Sequence, residues 1–233
     1  MRIVIVVAVE FYKIVRKYCM EKHILKDGGY SFFDMSNNNV EVICFESGPG
    51  EIQAGAGMQY LIAKFDPNII LNIGTCGGLE YSMKMGDVCI VEEVVHTDYD
   101  VSCIANTLPG QYIGLSSERI RLNKRLIELT LEYFENKRKI SRASLASQDR
   151  VINGDINRID LGEKWKCQIC DMEMAGYSLI ALKNKVPLVS LKIVSDSIGD
   201  NIGWNDNWED EFDELVGEII GLTSYFKEKY NIC

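Results

Sequence analysis

Histidine is almost missing from this chain, with only His23 and His96 among 233 residues. Neither offers a spacing that would complete a zinc site around Cys167-Gln168-Ile169-Cys170, which needs two further ligands. That pair, like most of the eight cysteines, reads as buried packing, because a free thiol behaves as a small hydrophobe. Basic charge is also short: Lys and Arg number 25 against 34 Asp and Glu, a net charge of -9. A nucleic-acid partner, which asks for a basic surface, is therefore not expected. Long apolar runs are lacking as well. Ile3 to Val9 is apolar but far short of the roughly 20 residues that span a bilayer. Glu10 ends the run with no small-residue cleavage site behind it. The expectation is a cytoplasmic protein with reduced thiols and no membrane partner. No internal repeat, low-complexity stretch or linker appears, so residues 1–233 read as a single domain.

What is present is the balance of an ordinary globular protein, 47% apolar and 25% charged. Residues 2–9 read as a central parallel strand buried on both faces. Glu10 to Glu21 follows as a helix, with Phe11, Ile14, Val15 and Tyr18 at helical spacing. Asp27-Gly28-Gly29 signals a turn. Residues 30–35 and 40–46 form a strand pair through Ser36 to Asn39. Ser47-Gly48-Pro49-Gly50 is a tight loop leading into a helix over 51–65, with Ile52, Ala56, Tyr60 and Ala63 on one face. Asp66-Pro67 stops it.

A strand over 68–73 then runs into a second glycine-rich loop, Gly74 to Gly78. The strand Val88 to Val91 precedes the polar and aromatic segment Val94 to Asp100, and a long loop runs through Leu108-Pro109-Gly110. Residues 117–137 read as one helix, with Ile120, Leu122, Leu126, Leu129, Leu131 and Phe134 apolar. A strand near 144–147, a helix over 155–164 and a short strand over 166–169 follow. The next helix carries Ala175, Leu179, Leu182 and Val186 on one face, and the strand that starts at Val186 ends at Asp196. An amphipathic helix over 210–230 closes the chain, with Phe212, Leu215, Ile219, Leu222 and Phe226 inward. Strands alternate with helices, which makes the class α/β.

Two carboxylates stand out. Glu173 begins an apolar segment, where a carboxylate is costly without a partner. Asp196 ends a strand, where open α/β sheets place their ligand chemistry. The acidic run Asn201 to Asp210 lacks calcium-loop spacing and reads as an ordered loop whose Trp204 and Trp208 line or lid the cleft.

Four stretches in this order carry a resemblance: Ala8-Val9-Glu10, Asn72 to Gly78, Asp171-Met172-Glu173, and Val186-Pro187 leading to Val194-Ser195-Asp196. Together they resemble the nucleoside phosphorylase superfamily, and its 5′-methylthioadenosine/S-adenosylhomocysteine nucleosidases most closely. The resemblance implies a three-layer α/β fold with a central mixed, partly barrel-like sheet flanked by helices. It implies cleavage of a nucleoside N-glycosidic bond with no cofactor and no metal. Asp196 matches the acid at the purine N7, with Ser195 holding it. Glu173 matches the carboxylate on the ribose hydroxyls, with Met172 packed against the sugar. Val151 and Ile152 match positions lining the base pocket, and Thr75 and Gly77 approach by backbone. A homodimer or higher homo-oligomer is implied, with Asp98 and Tyr99 reaching a neighbouring subunit's site.

The pattern breaks at the nucleophile. The nucleosidases activate water with a glutamate two positions after the residue matched by Glu10, and Tyr12 stands there. A phenol with a pKa near ~10 is a poor base at neutral pH. Glu10 is the stand-in, on the same face of an extended chain but displaced by about 6–7 Å. Phosphorolysis needs guanidinium forks for a dianion. Asn72 stands where the phosphorylase branch has an arginine, residues 8–15 and 47–78 contain none, and Arg150 is the only arginine beside a motif. Hydrolysis of 5′-methylthioadenosine/S-adenosylhomocysteine-type purine nucleosides is the expected reaction. A purine or uridine phosphorylase is the alternative within the superfamily, and a catalytically weak nucleoside-binding protein the alternative outside enzymes.

Overall fold

The structure is a computed structural model that describes residues 1–18, 24–36, 40–199 and 207–230. Strand β1 (Arg2–Val7) sits deep, with Ile3 to Val7 all fully buried. Its β-branched side chains suit a strand covered on both faces. It pairs in parallel with β4 (Glu41–Glu46) and β5 (Ile69–Gly78). Helix α1 (Phe11–Tyr18) follows β1 directly; residues 19–21 of the expected helix lie outside the described residues. Strands β2 (Leu25–Asp27) and β3 (Tyr30–Asp34) form a hairpin across Gly28 and Gly29, whose positive φ angles the turn requires. Strand β3 also pairs with β4, as expected; residues 37–39 between them lie outside the described residues.

Helix α2 (Glu51–Phe65) matches its expected span, but its inward face is another one. Ala54, Gly57, Met58, Leu61 and Phe65 are buried, while Ile52 is 82% exposed. The chain continues through β6 (Val88–His96), β7 (Arg119–Arg121), α3 (Lys124–Phe134), β8 (Ile140–Ser147), α4 (Asp155–Trp165), β9 (Ile169–Asp171), α5 (Met174–Asn184), β10 (Leu188–Asp196) and α6 (Asn207–Lys229). The helix expected over 117–137 is thus a short edge strand and then a helix, because Asn123 caps α3 through its side chain and stops the helix from starting earlier. On α5 the inward face carries Met174, Ala175, Tyr177, Ser178 and Ala181, and Leu182 is exposed instead. Helix α6 keeps its expected inward set, with Phe212, Leu215, Ile219, Leu222 and Phe226 fully buried.

The expected loop at Gly74 to Gly78 is strand. It is the second half of β5, and none of Gly74, Gly77 and Gly78 has a positive φ. These glycines serve close packing rather than a turn: a Cβ at Gly78 would lie 2.5 Å from Ser197 Oγ, and one at Gly74 3.2 Å from Lys192 Nζ. Because β5 is extended, it reaches β1, β10 and β9 along its length. The sheet then closes through β10–β6, β6–β8 and β8–β9 into a five-stranded barrel, with β1, β4, β3 and β2 as an open arm. Parallel and antiparallel pairs are mixed, as expected. Helices flank it in two groups, α2 on α5 and both α1 and α3 on α6, while α4 lies against β8. The α2–α5 crossing is close because Gly176 has no side chain; a Cβ there would meet Glu51 O at 2.8 Å and Gly55 N at 2.9 Å. Among the described residues no helix is long and apolar enough to cross a membrane.

Candidate active site

The C-terminal ends of β1, β5 and β10 open on one cavity of about 340 Å³. Every expected site residue lines it: Glu10, Thr75, Gly77, Val151, Ile152, Met172, Glu173, Ser195 and Asp196. Val151 stands at the rim, 71% exposed, and Ile152 is buried below it. Ile152 joins a small apolar cluster with Leu79, Leu161 and Trp165. Trp208 lines the cavity from α6; Trp204 lies outside the described residues.

Glu10 closes the turn between β1 and α1, and its backbone carbonyl accepts from Lys13 N at 3.0 Å. The segment from 10 to 12 is therefore the start of a helix, and the strand spacing expected between these two positions does not apply. The side chain of Tyr12 lies outside what the structure describes. The Glu10 carboxylate is buried and has three donors. Thr75 N and Thr75 Oγ1 both donate to Oε1 at 3.1 Å, and Val9 N donates to Oε2 at 3.2 Å. Lys192 Nζ approaches the same place, since a Cβ on Gly74 would be 3.2 Å from Nζ and 3.6 Å from Glu10 Oε1.

Glu173 is the N-cap of α5, but its side chain makes no cap bond. Instead Gly50 N, at the end of the first glycine loop, donates to Oε1 at 2.9 Å. That loop turns its backbone toward Glu173 through glycines at positive φ, Gly48 and Gly50. Burial raises the Glu173 pKa to about 7, and the charge of Asp171 adds to the rise. Behind it, Glu51 is raised to about 8 by burial and by Asp171. Ser147 Oγ ties these acids together, 2.5 Å from Glu51 Oε1 and 2.7 Å from Asp171 Oδ1. Lys192 supplies the countercharge, with Nζ 2.8 Å from Asp171 Oδ2. Burial works against its ammonium, yet Asp171, Glu173 and Glu10 together outweigh that, and its pKa stands above the usual lysine value.

At the other end, Ser195 Oγ donates to Asp196 Oδ1 at 2.6 Å, as expected. Asp196 Oδ2 accepts from Arg158 Nη2, and Arg158 Nη1 donates to Gly78 O at 3.2 Å. Arg158 corrects the reading that Arg150 is the only arginine beside a motif; both line the cavity. Arg158 is buried on the inward face of α4 with Leu161, Gly162 and Trp165. That i, i+3, i+4, i+7 spacing was available in the sequence. So was the signal at Lys192, a lone cation in the apolar run from Leu188 to Val194. Glu51 had no such signal, because a helix N-terminus is an ordinary place for a glutamate.

Asp98 and Tyr99 do not line this chain's cavity. Asp98 Oδ2 accepts from Asp149 N, and Tyr99 stacks on Tyr112 beside His96. Cys167 and Cys170 are both buried, and burial pushes the Cys170 thiol, at the cavity wall, up to about 12. Among the described residues no three His, Cys, Asp or Glu are grouped to hold a metal ion.

Some known proteins resemble this chain in sequence, and solved structures resemble it in fold. A 5′-methylthioadenosine/S-adenosylhomocysteine nucleosidase from Exiguobacterium sp. is 28% identical over 187 residues, 79% of each chain. One from Geobacillus thermodenitrificans is 28% identical over 190 residues, 80% of this chain and 79% of that one. Among solved structures, a futalosine hydrolase mutant of Helicobacter pylori has a TM-score of 0.82 at 21% identity, covering 95% of this chain and 98% of that one. The Campylobacter jejuni 5′-methylthioadenosine/S-adenosyl homocysteine nucleosidase has a TM-score of 0.82 at 20% identity, covering 99% and 100%. The family description "Phosphorylase superfamily" matches residues 2–221. With that match over nearly its whole length, and a fold shared with these solved structures, the chain belongs to the phosphorylase superfamily.

Proposed function

We propose that the protein hydrolyses the N-glycosidic bond of purine nucleosides, with 5′-methylthioadenosine-type compounds as the first substrates to test. The observation that carries hydrolysis over phosphorolysis is the seat of Glu10. Thr75 N, Thr75 Oγ1 and Val9 N are the donors at this end of the cavity, and all three are engaged by its carboxylate. Lys192, the cation nearest to them, is paired with Asp171. A phosphate dianion would have to displace a carboxylate held by three donors, next to Glu173 and Asp171, whereas a water needs only one acceptor.

In this reading Glu173 accepts from the ribose hydroxyls and fixes the sugar. Its negative charge, with that of Glu10, favours the positive charge that grows on the ring as C1′–N9 breaks. Glu10 takes the proton of the attacking water, and Met172 packs on the sugar. Asp196 faces the base and exchanges the proton at N7. Release of base from 5′-methylthioadenosine, adenosine, inosine and uridine, with and without phosphate, tests this. Release that does not need phosphate supports it, and strict phosphate dependence overturns it. Binding without turnover would favour the nucleoside-binding alternative.

We also infer a homo-oligomer. Exposed Ile104, Leu108 and Ile113 on the 97–118 loop, with Ile52 and Val151, support an apolar contact between copies. A monomer mass by sedimentation equilibrium at micromolar concentration would contradict it. The single domain over residues 1–233 and the role of Asp98 and Tyr99 at a partner's site belong to the same proposal.

A further inference from the structure

Glu51 is the buried acid beside the site that the mechanism above does not use. It starts α2 and stands behind the cavity wall rather than on it. Ser147 Oγ lies 2.5 Å from Glu51 Oε1 and 2.7 Å from Asp171 Oδ1, and it accepts from Ala175 N at 3.1 Å. A serine hydroxyl has one hydrogen and two lone pairs. That one hydrogen cannot fill both short contacts, and two ionised carboxylates supply none. The geometry thus asks for a second proton on one of the two acids. Asp171 has the partners of an ion: its Oδ2 is 2.8 Å from Lys192 Nζ, and its Oδ1 accepts from Glu173 N at 3.3 Å and Met174 N at 3.1 Å. Glu51 has no ion pair among the described residues, and Oε2 accepts from Gly176 N at 2.5 Å.

We propose that Glu51 is a neutral acid in the working protein, and that its proton makes it a positioning residue for Glu173. The inference rests on the hydrolase reading and deepens it by naming what keeps the ribose carboxylate ionised. Glu51 Oε1–H donates to Ser147 Oγ, and Ser147 Oγ–H donates to Asp171 Oδ1, which leaves Asp171 an anion for Lys192. The residues around Glu51 are those that seat Glu173: Gly50 N donates to Glu173 Oε1, and Ala175 and Gly176 lie in the first turn of the helix that Glu173 caps. Glu51, Asp171 and Glu173 share one ammonium, and like charges packed out of water do not all ionise. Burial, then Asp171 and Glu173, raise Glu51 to about 8, so it keeps its proton while Glu173, at about 7, releases its own. Once Glu51 ionises, the Ser147 contact loses a hydrogen and a third charge faces Asp171 and Glu173, which favours the protonated Glu173. The other groups around Glu51 do not change charge there. Tyr112 and Lys192 have pKa values above their usual ones, and His96, 2.6 Å from Tyr112 Oη, has one below. Asp149 Oδ1 accepts from Glu51 N at 2.7 Å.

The test follows kcat/KM for 5′-methylthioadenosine in phosphate-free buffer from pH ~6 to pH ~9.5, in the wild type, Glu51→Gln and Glu51→Leu. Glutamine keeps a donor for Ser147 and an acceptor for Gly176 N but cannot ionise. Above the rise that belongs to Glu173, the wild type is expected to fall by about fivefold or more between pH ~7.5 and pH ~9. Glu51→Gln is expected to keep the rise and lose the fall. Glu51→Leu, with neither donor nor acceptor, is expected to raise KM at every pH, a change that Glu51→Gln does not share near neutrality. A wild type with no alkaline fall, or the same fall in Glu51→Gln, overturns the proposal. Infrared difference spectra read the proton itself. Wild type minus Glu51→Gln is expected to show the carbonyl band of a neutral carboxyl group at neutral pH, fading on the alkaline side; its absence overturns the proposal. If Glu51→Gln does not fold, the wild-type band decides by fading, or failing to fade, together with kcat/KM. If the wild type cleaves no nucleoside, the hydrolase reading fails. Calorimetric binding of 5′-methylthioadenosine over the same pH range then decides: affinity that falls on the alkaline side in the wild type but not in Glu51→Gln supports the role of Glu51, and the same dependence in both overturns it.

Discussion

Asp196→Asn keeps the side chain's size and an oxygen for Ser195 but removes the acid that the proposed mechanism sets at N7. Turnover of a purine nucleoside is expected to fall by about 10²-fold or more; an unchanged kcat would remove Asp196 from the chemistry. Glu10→Gln is expected to cost about the same factor while leaving KM nearly unmoved, because the role proposed for Glu10 is on the water rather than on the nucleoside. A pH profile separates Glu173 from both. Burial raises its pKa to about 7, so its neutral form, a weaker acceptor for ribose hydroxyls, is populated below that value. The kcat/KM of the wild type is expected to rise with pH through this range, and Glu173→Gln to lose that limb along with most of its activity. A profile unchanged in the variant would contradict the assignment. Position 12 shows why single positions mislead: a missing base at Tyr12 suggests a missing function, but the turn into α1 presents Glu10 to the same cavity.

Helix α5 is placed by glycine as much as by its apolar side chains. Gly176 lets it approach α2 until backbone meets backbone, and there Gly176 N reaches Glu51 Oε2 at 2.5 Å. Gly176→Ala is expected to lower the stability of unfolding by about 1–3 kcal/mol, read by chemical denaturation, because neither backbone has a rotamer with which to make room. Since α5 begins at Glu173, the same variant is expected to raise KM. A variant with wild-type stability would mean that the helices part without cost. The inward faces of α2 and α5 were misread in the sequence for one reason. Both helices are apolar nearly all round, and then small residues at the crossing decide which face turns in. Helix α6 has a polar face, and its inward set was legible.

On the scale of the whole molecule, the buried acids tie stability to pH. Glu51 and Glu173 are raised in the folded state to about 8 and about 7 from a usual value of 4.5. Between these values the folded chain holds protons that the unfolded chain has released. Their contribution is therefore fully present below about 4.5 and is lost as pH rises through 7 and 8. The Tm of Glu51→Gln relative to wild type isolates the Glu51 part. The two are expected to be close near pH ~5, and the variant to melt higher near pH ~8.5. A difference that does not change with pH would show that Glu51 is ionised in the fold at both values. His96, whose pKa burial lowers, acts in the opposite direction on the acid side and cancels in this comparison.

The order of strands and helices, the buried β1 and the two carboxylates at Glu173 and Asp196 were legible in the sequence, because they follow from local periodicity and from charges next to apolar runs. The chain could not say that Gly74 to Gly78 is strand. Glycine is compatible with a loop and with a crowded strand, and only contact with Lys192 and Ser197 decides between them. The chain marks Lys192 and Arg158 as inward cations, but not which acids they meet. Lys192 reaches Asp171 across the barrel and Arg158 reaches Asp196 from α4, pairs 21 and 38 residues apart that closure of the sheet brings together. The nature of the bond at risk can thus be read along the chain. Where the charged groups of the candidate site meet is decided only when the barrel closes, since a buried ion is placed by its partner and not by its neighbours in sequence.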